Sequence, residues 1–265
     1  MDSEILTTKK EVHSAKYGVD DIELTKRQYD AILGIESEDS INKRTATSDL
    51  AARWPTISGK PTVFYELLPS IDPVSKRLIH EAISEYENKT CLKFVTAKSG
   101  SRVKFTSGCT GCYSSIGNRW NSTHGQDLCL GWCKHDPSLV RHEMGHAIGL
   151  FHEQQRPDSG SFIKVIPSFK PGDNNYVSWA RNFRPVKEIE TYGVPYDYHS
   201  IMHYPALTGN YAWGNTEIKP LDKNEEIRGQ QKLTDLDIEL INRMYSCPSA
   251  WGKSFAPSLV QNYTM

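Results

Sequence analysis

The stretch His142-Glu143-Met144-Gly145-His146-Ala147-Ile148-Gly149-Leu150-Phe151-His152-Glu153 constrains this chain more than any other. It spells H-E-x-x-H-x-x-G-x-x-H. Residues at i and i+4 lie on one face of a helix about one turn apart, so His142 and His146 can reach one ion. Glu143, next to His142, is placed to act on a water at the metal rather than to bind the metal. Gly149 can take the left-handed conformation that ends a helix and turns the chain. That turn lets His152 approach the same ion from a new direction. A bare HExxH recurs by chance, and a core helix with surface histidines needs no metal. Three histidines, a glutamate and a glycine at fixed offsets are far more specific. Catalytic zinc sites use three protein ligands and an open fourth position, whereas structural ones are closed by a fourth protein ligand. The motif therefore predicts one catalytic zinc ion, which lowers the pKa of a bound water to roughly 7. Glu143 is the base that takes the water's proton and passes it to a leaving amine. This is peptide hydrolysis without a covalent intermediate.

The remaining features decide where such a protein works. With 265 residues the chain suffices for one large domain or two small ones. Its net charge of −1 argues against a nucleic-acid partner. No apolar run approaches the length of a transmembrane segment. The start, Met1-Asp2-Ser3-Glu4, lacks a basic-then-apolar signal segment. Either the protein is intracellular or its signal peptide is absent from this sequence. The six cysteines, Cys91, Cys109, Cys112, Cys129, Cys133 and Cys247, favour secretion. They permit 15 pairings, and Cys109-x-x-Cys112 with Cys129-x3-Cys133 is also compatible with a structural zinc site. N-x-S/T sequons at Asn88, Asn121 and Asn262 are glycosylation candidates and suit a secreted protein.

Residues 1–44 differ from the rest, with ten acidic against seven basic residues and neither cysteine nor tryptophan. Leu24 to Leu33 is a candidate short helix capped by Thr25, and Lys43-Arg44 is a candidate cleavage site or simply a solvated pair. From Ala51 the chain reads as a compact domain. Val63 to Leu67, Leu92 to Thr96 and Val103 to Thr106 are strand candidates. Asp72-Pro73 and Asp136-Pro137 each give a cap followed by proline, the signature of a helix start. Leu78, Ile79, Ala82, Ile83 and Tyr86 form one helical face, and Leu139, Val140, Met144, Ala147 and Ile148 another. Residues 107–135 read as loops and short strands. Beyond Glu153 an irregular, proline-marked region is expected to about Tyr198. Thr234 and Asp237 spell a capping box before a helix through Ile238, Ile241, Met244 and Tyr245. The tail from Pro248 is expected to be loosely ordered.

At Tyr196-Asp197-Tyr198-His199-Ser200-Ile201-Met202-His203-Tyr204 the chain resembles the astacin family of metzincin endopeptidases. His152-Glu153-Gln154-Gln155-Arg156-Pro157-Asp158 is similar to the family's H-E-x-x-R-x-D, and Ser200 to Tyr204 matches its S-I-M-H-Y turn. Arg53-Trp54-Pro55 followed by Val63-Phe64-Tyr65 looks like the start of an astacin catalytic domain. The resemblance implies an α+β, two-lobed metzincin-like fold, with a mixed twisted sheet plus helices in the N-terminal lobe and a largely irregular C-terminal lobe. It implies Met202 as an apolar floor under the zinc ligands. Tyr204 becomes an added zinc ligand that can swing away to hydrogen-bond the oxyanion. It pairs Cys91 with Cys247 and Cys112 with Cys133. Cys109 and Cys129 are extra to the simplest pattern and are expected to join each other, with Cys109–Cys133 and Cys112–Cys129 still open.

Gly18-Val19-Asp20-Asp21-Ile22-Glu23-Leu24-Thr25 is similar to the family's proenzyme pattern F-x-G-D-I-x-L-T, with Gly18 for phenylalanine and Asp20 for glycine. Tyr17 then takes the aromatic role one position away. Asp21 falls at the aspartate that binds zinc in the zymogen. Residues 1–44 become a propeptide and residues 45–265 the catalytic domain. A trypsin-like protease cutting after Arg44 leaves Thr45 as the new N-terminus, which the family buries near the residue here numbered Glu153. Lys219, Lys223 and Arg228 are candidates for recognising substrate beyond the Met-turn. The substrates implied are proteins or peptides. A zinc-binding adhesion or signalling module that kept the fold without proteolysis is the alternative.

Overall fold

The computed structural model describes residues 18–19, 21–23, 53–119, 123–167, 173, 180, 182–187, 189–210, 214–229 and 231–248. The expected helix at Leu24 to Leu33, the Lys43-Arg44 pair, Thr45, the sequons at Asn121 and Asn262 and the tail after Pro248 lie outside those residues.

The first lobe is a mixed sheet carrying two helices. Its strands are β1 (Gly18–Val19), β2 (Ile22–Glu23), β3 (Thr56–Ile57), β4 (Lys60–Leu67), β5 (Lys93–Thr96), β6 (Val103–Thr106), β7 (Cys112–Ser115) and β8 (Gln126–Leu130). They run in the order β1-β2-β7-β8-β6-β4-β3, with β5 also paired to β4. The ladders β2–β7, β8–β6, β6–β4 and β4–β5 are parallel; β1–β2, β7–β8 and β3–β4 are antiparallel. Strand β4 begins three residues before the sequence signal does, because Lys60 and Pro61 pair with the short β3.

Helix α1 (Pro73–Lys89) starts where the sequence places it. The Asp72 carboxylate accepts the Ser75 N–H at 2.9 Å, and Pro73 fills the first position. Its buried face is Leu78, Ile79, Ala82, Ile83 and Tyr86, which share one core with Val63, Phe94, Val103, Phe105 and Leu128. Helix α2 (Pro137–Ala147) uses the same device, with Asp136 accepting from Ser138 and Leu139. A one-sided stripe is expected here, yet every residue from Val140 to Ala147 is buried, while Leu139 is only partly so. The polar residues of α2 are used inward: His142 and His146 turn toward the site, and Arg141 pairs with Glu85 of α1 at 2.7 Å.

The end of α2 is locked from several directions. Gly149 has φ +110°. Its N–H donates to the His146 carbonyl at 2.8 Å, and the Leu150 N–H donates to the Gly145 carbonyl at 2.9 Å. This is the Schellman arrangement, which satisfies carbonyls a helix end leaves open. The Trp54 indole N–H takes the Ala147 carbonyl at 2.7 Å, and the Tyr245 hydroxyl takes that of Ile148 at 2.7 Å.

The second lobe is more regular than the sequence implies. Strands β9 (Ile163–Ile166), β10 (Leu207–Asn210) and β11 (Gly214–Pro220) form an antiparallel sheet in the order β10-β11-β9. The stretch Ile163–Ile166 is short, and its partner β11 lies some fifty residues on, so no local hairpin signal announces it. Its core gathers Ile163, Phe183, Tyr196, Tyr204, Ile218 and Ile227. Helix α3 (Asp235–Met244) opens with the Thr234–Asp237 capping box. Disulfides join Cys91 to Cys247, Cys109 to Cys129 and Cys112 to Cys133. All six thiols are consumed, so the structural-zinc alternative at residues 109–133 does not arise.

Candidate active site and metal centre

His142 and His146 project from α2 as i and i+4, and the Gly149 turn returns the chain so that His152 joins them. A backbone or side-chain oxygen holds each imidazole by Nδ1. His142 donates to the Ile201 carbonyl at 2.7 Å, His146 to the Leu150 carbonyl at 2.8 Å, and His152 to Gln155 Oε1 at 3.1 Å. An oxygen acceptor at Nδ1 fixes the proton there and leaves Nε2 as a lone pair. All three Nε2 atoms converge, and with an Asp21 oxygen they lie within 4.8 Å of one another. Burial pushes the His146 imidazole down to about 4, which keeps it neutral as a metal ligand must be.

Asp21 sits at the mouth of this cluster. Its Oδ2 is 3.0 Å from His142 Nε2, and its Oδ1 is 3.0 Å from His152 Nε2 and 3.6 Å from His146 Nε2. Burial alone pushes this carboxyl up, but His152, His142 and His146 outweigh it and hold it well below the usual range. The residues fit a metal on an observation of their own. His146 Nε2, His152 Nε2 and Asp21 Oδ1 are buried and make no hydrogen bond among the described residues, although buried polar atoms ordinarily find partners. A bound cation resolves all three at once. Three imidazole nitrogens and one carboxylate oxygen are a donor set suited to tetrahedral zinc.

Met202 packs against α2 so tightly that a β-carbon built on Gly145 lies 2.5 Å from its sulfur. The Tyr204 ring centroid lies 4.5 Å from that of His152 and 5.7 Å from that of Phe183. Glu143 follows His142 on α2 and is 1% exposed. Glu153 accepts from Arg156 Nη1 at 3.0 Å and from the Asp197 N–H at 2.8 Å. Burial pushes its carboxyl up to about 8 against the pull of Arg156.

Lys219 and Arg228 are exposed, and each pairs with a neighbouring glutamate, Glu217 and Glu226. Lys223 is exposed as well, and none of the three has a described contact with the imidazoles. Asn88 is exposed on the last turn of α1.

Several supporting residues escaped the sequence reading. Arg156 grips Asp158 with two parallel bonds of 2.9 and 2.8 Å and reaches the carbonyls of Val194 and Pro195. The R-x-D spacing is the visible trace of that fork. Gln154 Oε1 accepts the Tyr204 N–H at 3.1 Å, and Gln155 orients His152. Asp237 doubles as the α3 cap and the holder of the Met-turn, accepting from Ser200 Oγ at 2.6 Å and the Ile201 N–H at 3.0 Å. The Ile201 carbonyl in turn orients His142.

Fold and site together define a metzincin-type zinc peptidase scaffold. The family model of the Astacin peptidases matches residues 46–246, and the chain belongs to that family. It is 34% identical over 239 residues to "Zinc metalloproteinase nas-36" of Haemonchus contortus, covering 85% of this chain and 37% of the relative. It is 29% identical over 227 residues to "Astacin-like metalloendopeptidase" of Coturnix japonica, covering 80% of this chain and 52% of the relative. The chain thus spans about half or less of these relatives' lengths. Among solved structures, high choriolytic enzyme 1, a hatching enzyme zinc-protease of Oryzias latipes, superposes with a TM-score of 0.64 at 27% identity. That match covers 76% of this chain and 97% of the other.

Proposed function

We propose that this chain is a zinc-dependent endopeptidase held latent by its own N-terminal segment. The observation that carries the reading is the Asp21 carboxylate lying against the Nε2 atoms of His142 and His152. His142, His146 and His152 hold the zinc ion, whose chemistry when bound is to acidify water and polarise a carbonyl. Glu143 accepts the proton of the attacking water and delivers it to the departing amine. The Tyr204 hydroxyl donates to the developing oxyanion, and Met202 keeps the ligands from sinking into the core.

Residues 1–44 act as a propeptide in this reading. Asp21 fills the position water needs, and β2 lies along β7 where an extended substrate strand can pair. Cleavage after Arg44 by a trypsin-like protease withdraws both. The new Thr45 ammonium then joins Arg156 as a second cation on Glu153, whose carboxyl burial holds up to about 8 despite that arginine. Three disulfides accord with an oxidising, extracellular destination, where the sequon at exposed Asn88 carries a glycan. No helix among the described residues is long and apolar enough to cross a membrane.

Glu143→Gln tests the reading. The trypsin-activated variant retains one zinc per chain and loses peptide cleavage by roughly a thousandfold or more. Undiminished cleavage by that variant overturns the mechanism, and no cleavage by the activated wild type favours a binding module.

A further inference from the structure

Residue Glu23, two positions beyond Asp21, sits in a built clamp. Its Oε2 accepts the Ser115 hydroxyl at 2.9 Å and pairs with Arg119 Nη1 at 3.0 Å. Arg119 Nη2 also donates to the Glu23 backbone carbonyl at 3.2 Å. The clamp is rigid from behind. The Arg119 N–H donates to Gln126 Oε1 at 2.9 Å, the Gln126 amide donates to the Gly117 carbonyl at 2.6 Å, and Ser101 bonds Asn118. Ser115 is fully buried and Gln126 nearly so. Arg119 Nε is buried and makes no hydrogen bond among the described residues, so the guanidinium keeps donor capacity beyond what Glu23 uses.

This clamp lies at the edge of β7 that β2 covers. Ile22 and Glu23 pair with Ser114 and Ser115 of β7, and the Ser114 N–H donates to the Asp21 carbonyl at 2.8 Å. Strand β7 also leads, through Gly117, to the His146 carbonyl at 2.9 Å. The segment that covers the metal centre thus places an acidic side chain on Ser115, the last residue of β7, and on Arg119 in the loop that follows it.

We infer that Ser115 and Arg119 form a subsite for an acidic substrate side chain, occupied by Glu23 in the latent form and vacated when residues 1–44 leave. This rests on the proteolytic reading above. An arginine with a buried hydroxyl beside it favours a carboxylate over an isosteric amide, because the charge-assisted bonds weaken with the amide and a half-buried guanidinium is left unpaired. Arg119 is about a quarter exposed, so the preference is moderate and falls with salt. Glu23 therefore contributes to latency by holding the segment in place, separately from the Asp21 carboxylate.

The experiment is a series of otherwise neutral peptides in which one glutamate, or its glutamine match, is walked outward from the cleaved bond. It uses the activated chain. At one position the wild type cleaves the glutamate peptide with about fivefold to tenfold higher kcat/KM than the glutamine peptide. Arg119→Ala brings that ratio to near one while the glutamine peptide is still cut, which also reports folding. Arg119→Lys retains part of the preference, and Arg119→Glu turns it toward a lysine-bearing peptide. Equal rates on each matched pair in the wild type, or an unchanged ratio in Arg119→Ala, overturn the subsite. Failure of the activated wild type to cut any peptide overturns the proteolytic reading instead.

Discussion

The sulfur of Met202 lies over Gly145 so closely that a β-carbon there sits 2.5 Å away. Glycine costs roughly 1 kcal/mol relative to alanine inside a helix, so its presence in α2 needs a cause, and this contact supplies one. The methionine turn and the helix that carries His142 and His146 are thereby fitted to each other at a single atom.

Gly145→Ala is expected to destabilise the protein by about 1–2 kcal/mol despite its better helix propensity, because overpacking a dense core outweighs the gain. Met202→Ala is destabilising through the cavity it leaves. The double variant is less unstable than the sum, by about 1 kcal/mol, since the new methyl enters vacated space. Urea denaturation of the four proteins reads this cycle. Strict additivity would show that the two residues do not meet.

Gln155 fixes the imidazole of His152 through a single bond of 3.1 Å. Gln155→Leu removes that acceptor with little change in volume. Competition with a chromogenic chelator should show zinc affinity weakened roughly 10–100-fold, the usual cost of losing a ligand's outer partner. Gln155→Glu, which keeps an acceptor, binds zinc at least as well as the wild type. Indistinguishable affinities in all three proteins would assign the orientation of His152 to packing alone.

Asp21→Ala, in the intact chain without proteolysis, leaves the three imidazoles in place and removes the carboxylate that faces them. Peptide cleavage by this uncut variant is expected at least tenfold above the uncut wild type. The gain stays short of full activity, because β2 still pairs with β7. A fluorogenic peptide assay on purified uncut protein decides it, and a wild type already fully active without cleavage refutes the switch.

The parts of this site legible in the sequence are those whose chemistry is local. The spacing of His142 and His146, the Asp136-Pro137 start and the Gly149 stop all act within one helix and its cap. Resemblance extended the reading to Tyr204, Met202 and Asp21, residues that no periodicity singles out. What escaped detection acts across long separations. Asp237 is read from sequence as a helix cap, and nothing local announces that the same carboxylate holds Ser200 and Ile201. Gln154 and Gln155 look like spacers between Glu153 and Arg156, yet each is wholly buried with a partner in the site. Arg119 looks like a solvated charge until β2 brings Glu23 to it.

Asp237 gives a pH dependence whose sign follows from its position. Burial raises its carboxyl, bonds from Ile201, Ser200 and Thr234 hold it back, and the net is about 6 against an ordinary 3.8. As pH rises from about 4 to 6 the unfolded chain releases this proton while the folded chain keeps it. The folded state then binds more protons, so stability from this group falls across that window and is flat on either side. A difference of about two units corresponds to about 3 kcal/mol. Asp237→Asn cannot titrate and forfeits one acceptor oxygen, so it is destabilised at every pH. The gap between wild type and variant is therefore widest near pH 4 and narrows toward pH 6.5. Denaturant unfolding at constant ionic strength measures that gap. A gap that widens with pH would mean that the three donors overcome burial and that Asp237 holds the Met-turn as an anion.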